Sequence, residues 1–270
     1  MPLGLSDNLF QRIVSALLLL PPVLWAIYAG GYWFSGLLAV GGALMMLEWC
    51  QLTSVRHKAG QGTAVLMILA LVWVLEANAL PSAALLLTAL LVTAVVGTLL
   101  AHASLVTGWW LAGVAYVGFP IAALWLVRDF NALLVLWIFL VVWATDVGGY
   151  FAGKGIGGPK LAPRISPKKT WAGLLGGMAL SVAISVAMQA VVPFASSALV
   201  LAGFAALLAI WAQVGDLLES GIKRHFGVKD SGGLIPGHGG LLDRVDGLVF
   251  VAPAVVIISW VGPVFGFEFY

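Results

Sequence analysis

Apolar residues run along this chain in stretches of near twenty, broken by short polar segments, without the alternation of a half-buried strand or the single stripe of a soluble helix. A run of roughly 20 residues crosses about 30 Å of hydrocarbon as an α-helix. Nine such runs occur, at about 12–30, 32–52, 63–80, 82–102, 108–128, 131–153, 170–192, 196–222 and 247–265. The expected fold is therefore all-α, a polytopic transmembrane bundle of about nine helices. No internal repeat or low-complexity linker divides the pattern, so a single integral membrane domain over 1–270 is expected. Residues 1–130 carry few polar groups inside their runs and read as scaffold. Polarity rises after residue 144, so 131–270 reads as the half that carries the chemistry, with polar loops at 154–169 and 223–246.

Composition strengthens the membrane assignment. The chain is 62% hydrophobic and 9% charged, with a mean hydropathy of +1.07; a soluble domain could not cover its surface with so few charges. Lys and Arg are retained on the cytoplasmic side of a membrane. With the N-terminus inside, twelve of the thirteen basic residues fall on inner segments: Arg12, Arg56, Lys58, Lys154, Lys160, Arg164, Lys168, Lys169, Lys223, Arg224, Lys229 and Arg244. Only Arg128 falls outside, so the N-terminus is expected in the cytoplasm and the C-terminus on the opposite side. The expected location is a bacterial cytoplasmic (inner) membrane, with no nucleic acid among the partners. Arg12 leads a long run containing Pro21 and Pro22, which reads as an uncleaved first helix. The single Cys50 excludes an intramolecular disulfide and a Cys-rich zinc site. Glu48 and Glu76 lie near run ends, where a carboxylate is expected to reach headgroup water and serve a structural role.

The chemistry concentrates in 220–246, SGIKRHFGVKDSGGLIPGHGGLLDRVD, which sets Lys223, Arg224, Lys229 and Arg244 among Asp230, Asp243 and Asp246, with glycines interspersed. Backbone N–H groups of glycine-rich turns approach phosphate closely, cations neutralise it, and carboxylates bring in the accompanying divalent ion. Asp216 and Glu219 share a helix face at three-residue spacing, and Asp243 and Asp246 repeat that spacing at a helix start, where the partial positive charge favours the ionised carboxylate. Asp146, about two turns inside its run, is costly there unless paired or metal-bound. The plainer alternative is that these acids form ion pairs, Asp243 with Arg244 or Lys223 for example. His238, between two glycines, is a candidate substrate contact as much as a hydrogen-bonding loop residue. In SPKKT, Ser166 and Pro167 precede Lys168 and Lys169, which suit phosphate capture or headgroup anchoring, and Thr170 is placed to cap the following helix.

These residues resemble the signature of the phosphatidate cytidylyltransferases, also called CDP-diacylglycerol synthases. The match is carried by Ser220, Lys223, Arg224, Lys229, Asp230, the small residue at 232, His238, Gly239, Gly240, Asp243, Arg244 and Asp246 at fixed spacing. DVGGYFAGK at 146–154 and SPKKTWAG at 166–173 are also similar to segments of that family, although many members carry an acidic or amide side chain where this chain has Ala172.

The resemblance implies transfer of CMP from CTP to phosphatidic acid, giving CDP-diacylglycerol and pyrophosphate with Mg2+. One or two ions, and an assisting monovalent cation, are left open. By the same analogy Asp216, Asp243 and Asp246 hold metal, and Lys223, Arg224, Lys229 and Arg244 contact the triphosphate. Asp230 and His238 complete the catalytic set. Asp146, Ser166, Lys168, Lys169, Thr170, Ser220, Gly239 and Gly240 bind substrate at a site facing the cytoplasm. CTP, phosphatidic acid and membrane lipid are the expected partners, with monomer and homodimer both open. A CTP-dependent lipid kinase or related lipid nucleotidyltransferase would share the metal and basic loops. A secondary transporter would instead place its polar groups at the midplane.

Overall fold

The computed structural model describes residues 7–55, 58–77, 105–191, 194, 196–235 and 239–261. Among them are eight helices: α1 (Asp7–Ala29), α2 (Gly31–Leu52), α3 (Lys58–Glu76), α4 (Leu105–Phe130), α5 (Ala132–Gly155), α6 (Trp171–Met188), α7 (Ala198–His225) and α8 (Leu242–Val261). They correspond to eight of the nine apolar runs; the run at 82–102 lies outside the described residues. Six of these helices contain segments long and apolar enough to cross a membrane, namely Gly31–Leu52, Lys58–Glu76, Gly108–Phe130, Ala132–Gly155, Trp171–Met188 and Ala198–His225. The chain is thus a helical, polytopic membrane protein. Leu17, Leu18, Trp73 and Leu199 stay exposed, as expected of side chains solvated by lipid rather than water.

Two differences from the sequence expectation concern the polar segments. The loop at 154–169 contains a small antiparallel hairpin, β1 (Lys160–Ala162) and β2 (Ser166–Thr170), so SPKKT is a strand. The loop expected from residue 223 begins later, because α7 continues through Lys223, Arg224 and His225. Cations in a last turn favour the negative end of the helix dipole, and Gly227 follows at φ 72°, a left-handed conformation that ends helices.

Residues 1–125 and 226–245 form one compact unit, and residues 126–225 and 246–270 form another. In the first, α2 packs on α3 and α1 around Phe34, Met46, Trp49, Ile68 and Leu75. In the second, α5 packs on α6, and α7 covers both.

The α5–α6 contact is unusually close. A Cβ on Gly148 would stand 2.5 Å from the Gly176 carbonyl oxygen, one on Gly177 would stand 2.7 Å from that of Thr145, and one on Gly176 would collide with Ala152. Small residues permit such approach in lipid, where packing and interhelical hydrogen bonds replace the hydrophobic drive. A polar seam accompanies it. Thr145 Oγ1 and Ser181 Oγ lie 2.8 Å apart, Ser181 donates to the Val141 carbonyl at 3.0 Å, and Trp137 Nε1 donates to Ser185 Oγ at 2.9 Å.

Gly177→Val forces these helices apart and is expected to destabilise the protein by about 1–3 kcal/mol. Thermal unfolding in detergent measures this; an unchanged midpoint contradicts the close-packing account.

Candidate active site

In the second unit, α5, β2, α6 and α7 enclose a cavity of about 190 Å3 lined by Asp146, Lys168, Lys169, Thr170, Gln213 and Asp216, together with Thr145, Gly149, Tyr150 and Gly173. Each element contributes for a local reason. Asp146 projects from α5, three residues before the glycines at 148–149 are complete. Strand β2 delivers the two lysines, and Thr170 ends it by capping α6, its Oγ1 accepting from Gly173 N at 3.1 Å. The capping role expected for Thr170 is thus present, and it turns the chain from strand to helix beside the lysines.

Lys169 forms an ion pair with Asp216, which also accepts from Ser220 Oγ at 3.2 Å. One turn further along α7, Lys223 donates to Glu219 at 2.9 Å. Both side chains of this pair are buried, so Lys223 is engaged with a neighbour on its own helix. Asp246, near the start of α8, lies in the field of Asp216, Glu219 and Asp146, and its Oδ1 accepts from Gly247 N at 2.7 Å. Asp246 thus has three other carboxylates around it, of which Asp216 and Glu219 each carry a lysine partner.

Among the described residues no group of three His, Cys, Asp or Glu side chains forms a metal site. Magnesium does not require one. It keeps several waters and takes one or two carboxylates plus substrate phosphate oxygens. Asp146, Asp216 and Asp246 are hard oxygen donors in an excess of negative charge, and they fit such an ion.

The first unit holds the glycine-rich loop. Asp243 Oδ2 accepts from Ser231 N at 2.9 Å, Ser231 Oγ at 3.0 Å and Gly240 N at 2.9 Å. Asp243, expected as a metal ligand, has this oxygen engaged in ordering the loop. Ile235 N donates to the Gly239 carbonyl at 2.9 Å. Gly239 has φ 86°, and a Cβ there would fall 2.9 Å from Asp243 Oδ2; Gly240 has no room either, because Ser231 Oγ and Glu48 fill the space. Both glycines thus serve the backbone path. Lys229, Asp230 and Arg244 are exposed, whereas His238 lies outside the described residues. Ser166 sits half-buried on β2, and Arg224 is exposed in the last turn of α7.

Glu48 is where the sequence expectation fails. It does not reach headgroup water but is 5% exposed. Its Oε1 accepts from Leu241 N at 2.9 Å, and its Oε2 accepts from Leu242 N at 2.9 Å and Ser231 Oγ at 3.4 Å. Glu76 is likewise held by Ser35 and by Trp125 Nε1. Only the rarity of an acid in an apolar run could have marked Glu48; nothing local identifies partners almost two hundred positions away.

A model of the cytidylyltransferase family matches residues 10–261. The chain belongs to this family. A protein of Brucella suis biovar 1 (strain 1330), named phosphatidate cytidylyltransferase, is 42% identical over 269 residues, covering 94% of each chain. A protein of the same name from Staphylococcus aureus (strain COL) is 46% identical over 148 residues, 55% of this chain and 57% of that one. Family membership makes the chain a nucleotidyltransferase, and the lysines and carboxylates around one cavity are the groups such a transfer needs.

Asp243→Asn removes the charge from the oxygen that accepts from Ser231 N, Ser231 Oγ and Gly240 N. Charge-assisted hydrogen bonds of this kind contribute about 1.5–3 kcal/mol, so tryptic cleavage after Lys229 is expected to accelerate by about tenfold. Asp246→Asn, at a carboxylate that accepts from the neighbouring Gly247 N, leaves that rate unchanged. Equal cleavage of the two variants removes the loop-ordering role from Asp243.

Proposed function

We propose that this membrane enzyme is a phosphatidate cytidylyltransferase, which transfers the cytidylyl group of CTP to phosphatidic acid. A phosphatidate oxygen forms a bond to the α-phosphorus of CTP. The bond from that phosphorus to the bridging oxygen of the β-phosphate breaks, and pyrophosphate leaves with the electron pair. The nucleophile is already an anion near neutral pH, so no general base is required. What the protein must supply is charge neutralisation and alignment of two mutually repelling anions.

The observation that carries this reading is the cavity, where Lys168 and Lys169 face Asp146 and Asp216, taken with relatives of that name along nearly the whole chain. Lys168 and Lys169 are the proposed contacts of the lipid phosphate or of the leaving pyrophosphate. Arg224, Lys229 and Arg244 are the proposed triphosphate contacts. Asp216 and Asp246, with Asp146 beside them, would hold Mg2+, which when bound neutralises phosphate oxygens and the developing charge on pyrophosphate. The ion pair with Asp216 holds the Lys169 side chain at the cavity wall before substrate arrives. Twelve of thirteen basic residues fall on one side of the expected topology, which supports a site facing the cytoplasm of a bacterial inner membrane, where CTP is available.

Incubation of purified protein in detergent with phosphatidic acid and CTP separates transfer from phosphorylation. Label in the cytosine base is expected in lipid and label in the γ-phosphate in pyrophosphate; γ-phosphate label in lipid with base label left in CDP identifies a lipid kinase. Lys169→Ala is expected to cut turnover by about 100-fold, with weak recovery in Lys169→Arg, because a planar guanidinium does not replace a compact ammonium. Retention of wild-type turnover by both Lys168→Ala and Lys169→Ala removes these residues from the site.

Orientation is tested separately. In a Cys50→Ser background, cysteines at 160 and 230 are expected to react with impermeant reagents from the cytoplasmic side alone; labelling of both from outside reverses the topology.

A further inference from the structure

We infer that Glu48, in the half of the chain that reads as scaffold, is a positioning residue for nucleotide transfer, acting through the glycine-rich loop. The inference rests on the function proposed above, in which that loop carries Lys229 and Arg244.

The observations come from both ends of the loop. At its far end, the two oxygens of Glu48 accept the backbone N–H groups of Leu241 and Leu242, the last loop residue and the first of α8. These are among the donors a helix start leaves without intrahelical partners, and here they are satisfied by a carboxylate from a helix nearly two hundred residues earlier. Ser231 Oγ stands within reach of both Glu48 Oε2 and Asp243 Oδ2, at 3.4 and 3.0 Å, so it links the two carboxylates and ties residue 231 to the start of α8. Gly232 and Gly240 flank the Glu48 carboxylate so closely that a Cβ on either would press against it.

At the near end the next residue of α2 takes part. Trp49 donates through Nε1 to the Trp109 carbonyl at 2.8 Å and stacks on Tyr116 with ring centroids 4.8 Å apart. Trp109 in turn packs edge-on against Phe226, with centroids 5.0 Å apart. Consecutive residues of one helix thus hold both ends of the loop.

A carboxylate used this way does more than stabilise. Two oxygens meeting two successive backbone N–H groups define where the first turn of α8 begins, and hence where Arg244 emerges. An amide side chain cannot repeat the arrangement, since it presents an N–H2 to one of the N–H groups. Asp is one methylene too short to reach both.

The test compares Glu48→Gln and Glu48→Asp with wild type and with Glu76→Gln, which neutralises another carboxylate of the same unit. Positioning predicts that Glu48→Gln lowers kcat/KM for CTP on the order of 100-fold, the scale of a small misplacement of reacting groups. It also predicts a raised KM for CTP, an unchanged KM for phosphatidic acid, and recovery of no more than about tenfold of that loss in Glu48→Asp. Hydrogen exchange supplies a readout independent of turnover: amides in 230–245 are expected to exchange faster in Glu48→Gln, while those of α5 and α6 keep their protection.

Several outcomes overturn the inference. One is activity within about twofold of wild type in both Glu48 variants. Another is lower kcat with both KM values unchanged, which reports a smaller folded fraction. A third is exchange rising throughout the chain, which assigns Glu48 to general folding. A change in KM for CTP as large in Glu76→Gln as in Glu48→Gln does the same. Wild-type protein that fails to transfer cytidylyl groups refutes the proposed function instead, and the exchange measurement still decides whether Glu48 orders the loop.

Discussion

Glu48 and Asp243 each gather donors onto a carboxylate, and the order of the glycine-rich loop depends on those bonds. A loop with this many glycines loses much conformational entropy when ordered, and its side chains bury little apolar surface to offset that loss. Charge-assisted hydrogen bonds are the compensating interaction, each contributing about 1.5–3 kcal/mol when formed away from water. Burial also raises the stakes. Glu48 is 5% exposed, so a vacated partner is not replaced by solvent, and the donors left behind carry their own desolvation cost.

A second constraint shapes the other unit. Helices α5 and α6 approach until backbone meets backbone at Gly148, Gly176 and Gly177, and this close approach brings the C-terminal half of α5 beside the start of α6. Thr170, the capping residue at that start, belongs to the strand carrying Lys168 and Lys169. Asp146 and the two lysines therefore line one cavity because the interhelical glycines leave no gap, and because a strand running straight into a helix start has little freedom. The ion pair of Lys169 with Asp216 adds α7 to the same wall.

Hydropathy alone sufficed for the class of fold, since roughly 20 apolar residues in helical conformation satisfy their own backbone hydrogen bonds in lipid. It located eight helices that the structure describes, to within several residues at most ends. The polar segments were legible in identity but not in shape. Hairpin β1–β2 is short and half exposed, and β-pairing over a few residues leaves no period to read. The extension of α7 through His225 follows from the helix dipole and from Gly227, both visible locally, yet an apolar-run criterion stops at the consecutive cations Lys223 and Arg224.

The residues of the site were named by their chemistry: cations for phosphate, carboxylates for a hard ion, glycines for close backbone approach. Those preferences are properties of side chains and survive without knowledge of neighbours. Assignments among them were different. That Lys223 pairs with Glu219, that Lys169 meets Asp216, and that Asp243 holds Ser231 and Gly240 rather than lending both oxygens to metal depend on distances set by packing. Glu48 marks the limit most sharply. Its neighbours along the chain are apolar and unremarkable, and its partners at 231, 241 and 242 are brought to it by the folding of one unit from two distant stretches of chain, a relation that no local pattern encodes.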